Sequence, residues 1–257
     1  MLPRLSQSQA KRVRSLQVKK YRDREGLFWI EGQRLCDEAL ASNAGISYGI
    51  VDEGFDSTKL DEMTRQFGSR NIPLYMAKFQ DLAATPSPQG IGCVLPFIDN
   101  KPDPTHARRL IMIDGLQDPG NLGTIIRTAE WFGFDGLVTG SDCADIYNPK
   151  VIRSCMGAIF HIPFLEKEPL HDYITTVKAE GFRMIGSELK LPVNPPEPAP
   201  EKLAVLIGSE ASGIDPSLYS LLDYNILIPG LGKSESLNAA VAAGIIMYTL
   251  NSGSKHG

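Results

Sequence analysis

Residues 110–133 constrain the fold more than any other stretch of this chain. Leu110-Ile111-Met112-Ile113 is a short apolar run of the kind that fills a buried strand, and it leads into the turn-forming sequence Asp118-Pro-Gly-Asn-Leu-Gly123. Leu122, Ile125, Ile126, Ala129 and Phe132 then recur at helical spacing. Asn121 is placed as the N-cap of this helix and Gly133 as the residue just past its end. Arg127 lies off the apolar stripe, on a face shared with Gly123 and Trp131. Helical side chains lean toward the N-terminus, so Arg127 is expected to reach back toward the loop at Asn121. A strand end, a glycine-rich turn and a fixed cation aimed at that turn make a site for an anion.

The same alternation extends along the chain and divides it in two. Residues 1–98 read as a small α/β domain: a basic helix from Ser6 to about Lys20, strands at 27–30, 46–51, 72–76 and 91–95, and helices at 34–41 and 57–67. Asp99-Asn-Lys-Pro-Asp-Pro104 is a turn-rich linker. The second domain, 105–257, carries expected strands at 109–113, 136–139, 182–186, 203–207 and 225–228. Its expected helices are 121–132, 148–156, 169–179, 216–222 and 235–250. This is the pattern of a parallel sheet covered on both faces. Five prolines between Pro192 and Pro200 predict a stiff exposed connection.

Charge is distributed unevenly. The net charge is −4, yet residues 1–25 hold eight Lys or Arg against two acids, a local +6 that leaves −10 for the rest. A basic arm on an acidic body points to contact with a polyanion, with Lys11, Arg12, Arg14, Lys19, Lys20 and Arg22 as candidate RNA contacts. The alternative is a solvated surface helix. No apolar run approaches a membrane span, and the first residues lack a signal peptide's apolar stretch. Cys36, Cys93, Cys143 and Cys155 have no CxxC spacing and are expected to be reduced thiols of a cytoplasmic protein, with no metal.

Ligands of open α/β sheets bind outside the carboxyl ends of strands. Three segments of the second domain fit that position. The first is 118–133. The second is Leu203-Ala-Val-Leu-Ile-Gly208-Ser-Glu210-Ala-Ser-Gly213, and the third is Ile226-Leu-Ile228-Pro229-Gly-Leu-Gly232-Lys-Ser-Glu-Ser236-Leu237-Asn238. The alanines and glycine of 239–244 would let another element approach the last helix closely. A dinucleotide fingerprint needs Gly-x-Gly-x-x-Gly, a spacing that Gly120-Asn-Leu-Gly123 lacks, and no P-loop sequence is present.

Taken together, Asn121-x-Gly123-x-x-x-Arg127-Thr-Ala129-x-x-x-Gly133, Gly208-x-Glu210-x-x-Gly213 and Ile228-Pro229 with Ser236-Leu237-Asn238 resemble the three motifs of the SpoU (TrmH) family of RNA ribose 2′-O-methyltransferases, in the SPOUT superfamily. Asn148-Pro-Lys-Val-Ile-Arg153-Ser154-x-x-Gly157-Ala158 also resembles a family segment, and Tyr21-Arg22 with Phe28-x-x-Glu31-Gly32 resembles the family's N-terminal RNA-binding domain. The chain departs from the family's common Ile-Pro-Met at Gly230, and Cys155 stands where serine is usual.

The resemblance implies a trefoil knot in the C-terminal domain, a homodimer, and S-adenosylmethionine bound by Gly208, Ile228, Pro229, Gly232 and Leu237. It implies a ribosomal RNA substrate, 23S in preference to transfer RNA, with a catalytically silent ribosome-assembly protein as the other class of reading. The catalytic set it implies is Arg127, Asn121, Glu210, Ser236 and Asn238. His106, His161, His171 and His256 lie outside the motifs and read as surface or core residues. Arginine is always protonated at its ordinary pKa, so Arg127 is expected to bind an RNA phosphate and ribose while phosphate or water takes the hydroxyl proton.

Overall fold

The computed structural model describes residues 2–83, 88–187, 200–233 and 236–252. Most of the proline-rich connection, residues 192–199, and His256 lie outside the described residues. By contacts the chain forms two compact units, Met1–Asp99 with Tyr147–Phe160, and Asn100–Ile146 with His161–Gly257.

The first elements are α1 (Gln7–Ser15), α2 (Lys19–Glu25), β1 (Leu27–Glu31), α3 (Gln33–Ala41), β2 (Tyr48–Asp52), α4 (Ser57–Ser69), β3 (Leu74–Ala77) and β4 (Ile91–Pro96). They build a four-stranded mixed sheet in the order β1-β4-β2-β3. The expected single basic helix is two. Ser6 caps α1 through a reciprocal capping box with Gln9, and the helix ends at Leu16, which is buried. The chain turns extended at Val18 before α2 begins. The break exposes the Leu16 carbonyl, and the buried Arg22 guanidinium donates to it at 2.8 Å. Val13 and Leu16 pack with Trp29, Tyr48, Ile50, Phe79, Leu82 and Val94 in one core of this unit. Residues ahead of α1 pair with the edge of β3: Leu5 N–H donates to the Met76 carbonyl and Met76 N–H to the Pro3 carbonyl, both at 2.9 Å.

The remaining elements are β5 (Arg109–Ile113), α5 (Pro119–Trp131), β6 (Gly136–Gly140), α6 (Pro149–Cys155), β7 (Phe164–Glu168), α7 (Leu170–Ala179), β8 (Arg183–Gly186), β9 (Leu203–Ile207), β10 (Tyr224–Asn225) and α8 (Ala239–Ser252). The α6 segment, read above as part of the second domain, belongs by contacts to the first unit. There Gly157 takes φ +99°, and a Cβ on it would fall 2.6 Å from Glu38 Cγ of α3.

The second unit holds a six-stranded, all-parallel sheet in the order β10-β8-β9-β5-β6-β7. From β5 the chain builds outward through β6 and β7, then returns to the other side of β5. The order therefore reverses between β5 and β9, where α/β sheets open a ligand crevice. Three differences from the sequence reading have local causes. β7 is an edge strand whose Glu166, Lys167 and Glu168 break the apolar signal of a buried strand. The segment expected as a helix at 216–222 is a 3-10 helix, Pro216–Leu221, capped by Asp215. Residues past Asn225 leave the sheet: Ile226 N–H still pairs with the Gly186 carbonyl at 2.9 Å, but Leu227 is exposed and no ladder follows among the described residues.

Candidate active site

The loops after β5, β9 and β10 meet at that reversal. After β9 the chain doubles back on itself. Ser209 and Gly213 exchange two backbone hydrogen bonds of 3.0 Å each, and Gly213 sits at φ +70°. A Cβ on Gly208 would lie 2.1 Å from the Gly213 carbonyl carbon and 2.3 Å from Ile214 N, so only glycine admits this closure. The tight loop lifts Glu210 into the exposed position at its tip.

Asn121 does not cap α5. Asp118 is the N-cap, accepting from Asn121 N–H at 2.8 Å, with Pro119 at the first helical position. Asn121 is thus the third residue of the helix, and its amide is free to reach outward. Its Nδ2 donates to Glu210 Oε1, and its Oδ1 accepts from Asn238 Nδ2 at 3.0 Å. Asn238 in turn caps α8, its Oδ1 accepting from the N–H groups of Ala240 and Val241 at 3.0 and 3.2 Å. A helix N-terminus can only donate and a carboxylate can only accept, so the polarity of both amides is fixed from the two ends. One row of side-chain hydrogen bonds therefore joins all three loops.

Beside this row is a cleft of about 550 Å³. Its walls are glycine main chain and apolar side chains: Ile207 and Gly208 at the end of β9, Ile226 and residues 228–232 after β10, Leu237 ahead of α8, and Ala242 and Ile246 on it. The five residues expected to hold the cofactor, Gly208, Ile228, Pro229, Gly232 and Leu237, all line it, as do Glu210 and Ser236. Sequence reasoning missed Ser187 at the end of β8, and Ser209 and Ser212, whose hydroxyls bond each other at 2.8 Å. Ser187 follows a strand with no glycine turn to mark it. Asp114, the first residue past β5, has its carboxyl pKa pushed up by burial, although it accepts from Asp215 N–H at 2.7 Å.

Arg127 lies exposed on α5 and, among the described residues, makes no hydrogen bond or ion pair. Thr124 and Thr128 on the same helix direct their hydroxyls to their own helix's carbonyls, so neither engages it. The small residues of α8 serve contact with α5 of the same chain: Ala239, Ala240 and Ala243 are buried, and a Cβ at Gly244 would stand 3.7 Å from Thr128. Asn251 Nδ2 closes the pair on the Phe132 carbonyl at 2.9 Å.

In the first unit the basic arm is sorted. Lys11, Arg14 and Lys20 are exposed. Arg12 is paired with Glu25 at 2.8 Å and Lys19 with Asp23 at 3.0 Å. Arg22, expected to contact RNA, is 2% exposed and belongs to the core of the fold, because the break between α1 and α2 requires its donor. Cys36 and Cys93 are buried in this unit, 3.6 Å apart at sulfur. The Cys93 hydrogen bond and burial hold the Cys36 thiol well above its ordinary pKa.

A parallel sheet with an apolar, main-chain-rich cleft at its reversal point, and a polar row beside it, defines an α/β domain built to hold a nucleotide-like ligand. Residues 108–248 match the model of the SpoU rRNA Methylase family, and residues 7–92 match that of the MRM3-like substrate binding domain. The chain is 38% identical over 240 residues to the 23S rRNA (guanosine(2553)-2′-O)-methyltransferase RlmP of Bacillus subtilis, covering 92% of this chain and 93% of that one. Among solved structures it resembles a TrmH-family protein of Porphyromonas gingivalis, with TM-score 0.81, 28% identity and coverage of 96% and 98%. It also shares the fold of AviRb, a SpoU methyltransferase of Streptomyces viridochromogenes crystallised with AdoMet, with TM-score 0.84, 24% identity and coverage of 98% and 100%. The chain belongs to the SpoU rRNA methylase family.

Proposed function

We propose that this protein transfers a methyl group from S-adenosylmethionine to the ribose 2′-oxygen of a guanosine in 23S ribosomal RNA, the substrate carried in the name of its Bacillus relative. The observation that carries the reading is the row Glu210, Asn121, Asn238 and α8, which fixes three loops around the 550 Å³ cleft. The cleft suits the proposed cofactor. Its volume lies in the range of small-molecule sites, and its apolar walls with exposed main-chain groups match an adenine and ribose. The cofactor would supply a methyl group already activated by a positive sulfur. The homologous fold carries the expectation of a trefoil knot through these same loops.

The protein's own residues must then deliver the nucleophile. Arg127 supplies five donors on a permanent cation, suited to holding an RNA phosphate bidentately and with it the adjoining ribose. Phosphate or water takes the hydroxyl proton, since a guanidinium cannot. Asn121 and Asn238 position the loops, Glu210 anchors the row, and Ser236, which lines the cleft, donates to the substrate. The described histidines are exposed and lie away from the cleft lining, which supports a mechanism without a histidine base.

The active form would be a homodimer in the cytoplasm, where ribosomal RNA is found. Along α8, Val241, Ile245 and Tyr248 form an exposed apolar stripe, with Leu237 exposed just ahead of the helix and Trp131 of α5 80% exposed in the same unit. A helix apolar on every side is one that expects a partner on the face its own fold leaves open. No helix among the described residues is long and apolar enough to cross a membrane.

The test is to incubate the purified protein with a mixture of unmodified 23S rRNA and transfer RNA and with labelled S-adenosylmethionine, then map 2′-O-methyl sites. One methylated guanosine is expected. Label confined to transfer RNA, or absent from every RNA while the cofactor binds, would overturn the reading in favour of the two alternatives considered from the sequence.

A further inference from the structure

Three cations of the first unit with no acidic partner, Lys11, Arg14 and Lys78, share one groove. Four basic side chains, Arg4, Lys11, Arg14 and Lys78, line a groove of about 690 Å³ between the polar face of α1 and the segment after β3. Lys11 and Arg14 lie off the face of α1 that buries Val13. Two acids, Glu53 and Asp81, share the lining, and Arg4 pairs with Glu53 at 3.4 Å. Among the described residues the side chains of Lys11, Arg14 and Lys78 make no ion pair or hydrogen bond. Four other basic residues of the arm are engaged, Arg12 and Arg24 with Glu25, Lys19 with Asp23, and Arg22 with the Leu16 carbonyl, while the exposed Lys20 stands outside the groove. The groove floor is apolar, with Leu5, Met76 and Leu82.

We infer that this groove is an RNA-strand site in which Lys11, Arg14 and Lys78 hold successive phosphates while a ribose or base rests on the apolar floor. This rests on the proposal that the substrate is RNA, and it places the strand in a groove that includes Lys78, beyond the basic arm, and excludes Arg12, Lys19 and Arg22. A cation held by a neighbouring acid neutralises a phosphate less fully, and so displaces fewer of the RNA's counterions, than an unpaired one. An acidic protein segment is the competing occupant, and successive phosphates with a floor for a sugar or base fit the groove's mix of charge and apolar surface better.

Deleting the arm would not test this, because Val13 and Leu16 are core residues. Point substitutions at exposed side chains are cleaner. The full-length triple variant Lys11→Gln, Arg14→Gln, Lys78→Gln is compared with wild type and with the control Arg12→Gln, Lys19→Gln. The probe is a 23S rRNA transcript, titrated from 50 to 300 mM salt. The triple variant is expected to bind at least tenfold more weakly at 150 mM. The slope of log K against log salt should fall by about 2, near 0.7 for each phosphate that the variant no longer neutralises. S-adenosylmethionine binding and the thermal midpoint should hold, and the charge-conserving variant Lys11→Arg, Arg14→Lys, Lys78→Arg should restore RNA binding. An unchanged slope in the triple variant, or an equal loss in the control, overturns the groove. So does a triple variant that still binds the transcript as wild type does but loses affinity for polyglutamate. Failure of wild type to methylate any RNA would instead overturn the functional proposal, and the two failures are read in separate assays.

Discussion

Replacing Gly208 by alanine tests whether the closed loop makes the cofactor cleft. The new Cβ would lie 2.1 Å from the Gly213 carbonyl carbon and 2.3 Å from its oxygen, both rigid backbone atoms. Reaching an ordinary carbon contact of about 3.5 Å requires the loop to retreat by about 1.4 Å. That retreat breaks the two 3.0 Å hydrogen bonds between Ser209 and Gly213. Each contributes about 1 kcal/mol net, and overpacking a buried backbone position costs about 1–3 kcal/mol more. The expected destabilisation is about 3–5 kcal/mol, read as a lower urea midpoint at unchanged slope. If the loop moves without the domain unfolding, the cleft loses the backbone that lines it. A loss of about 2 kcal/mol in cofactor binding is then about a 30-fold rise in Kd by calorimetric titration. A variant within about 0.5 kcal/mol of wild type in stability and equal in cofactor affinity would refute the argument.

Three further outcomes are expected. Arg127→Ala should abolish methyl transfer while leaving cofactor affinity nearly intact, since Arg127 lies outside the cleft lining; retained turnover in a radiolabel assay would remove it from the mechanism. Val241→Asp with Ile245→Asp should halve the mass seen by analytical ultracentrifugation, because both side chains are exposed on α8 and unfolding is not at issue; an unchanged dimer would place the interface elsewhere. Asp223 gives a pH-dependent outcome. Burial raises its pKa, but the Met184 N–H, the Lys178 ammonium at 2.9 Å and Arg183 together bring it below the ordinary 3.8. A folded pKa below the unfolded one contributes stability that is complete above the unfolded value and is lost as pH falls through the folded one. Urea midpoints at pH 7 and pH 3 should therefore differ more in wild type than in Asp223→Asn, and equal acid sensitivity would refute the assignment.

The parallel sheet and the three strand-end loops were legible because each carried a local signal: an apolar run, a glycine turn and then helical spacing. The tie between loops was not. Asn121 stands just before the apolar stripe and so reads as a cap, yet Asp118-Pro119 is the stronger start signal, combining a side-chain acceptor with the one residue whose missing N–H would have no partner in the first turn anyway. Moving the helix start back by one turn releases the Asn121 amide for Glu210 and Asn238, which lie 89 and 117 residues away. No local periodicity reports contacts at that range. The basic arm shows the same limit. Counting charges identified the region, but only packing separated Arg22, which is buried, from Lys11 and Arg14, which are not. β7 escaped notice because an edge strand carries charges where a central strand would carry isoleucine.

The row from Glu210 to α8 also dictates which substitutions this family member can accept. Asn121 and Asn238 each use one half of the amide to give and the other to receive, over the same reach. Aspartate has the right shape but nothing to give at neutral pH, and opposite Glu210 it adds a second negative charge. Leucine keeps the volume and offers neither half, and serine is too short to span both partners. Sequence drift at these two positions is therefore closed even to isosteres, and the barrier is an inventory of protons rather than a shortage of space.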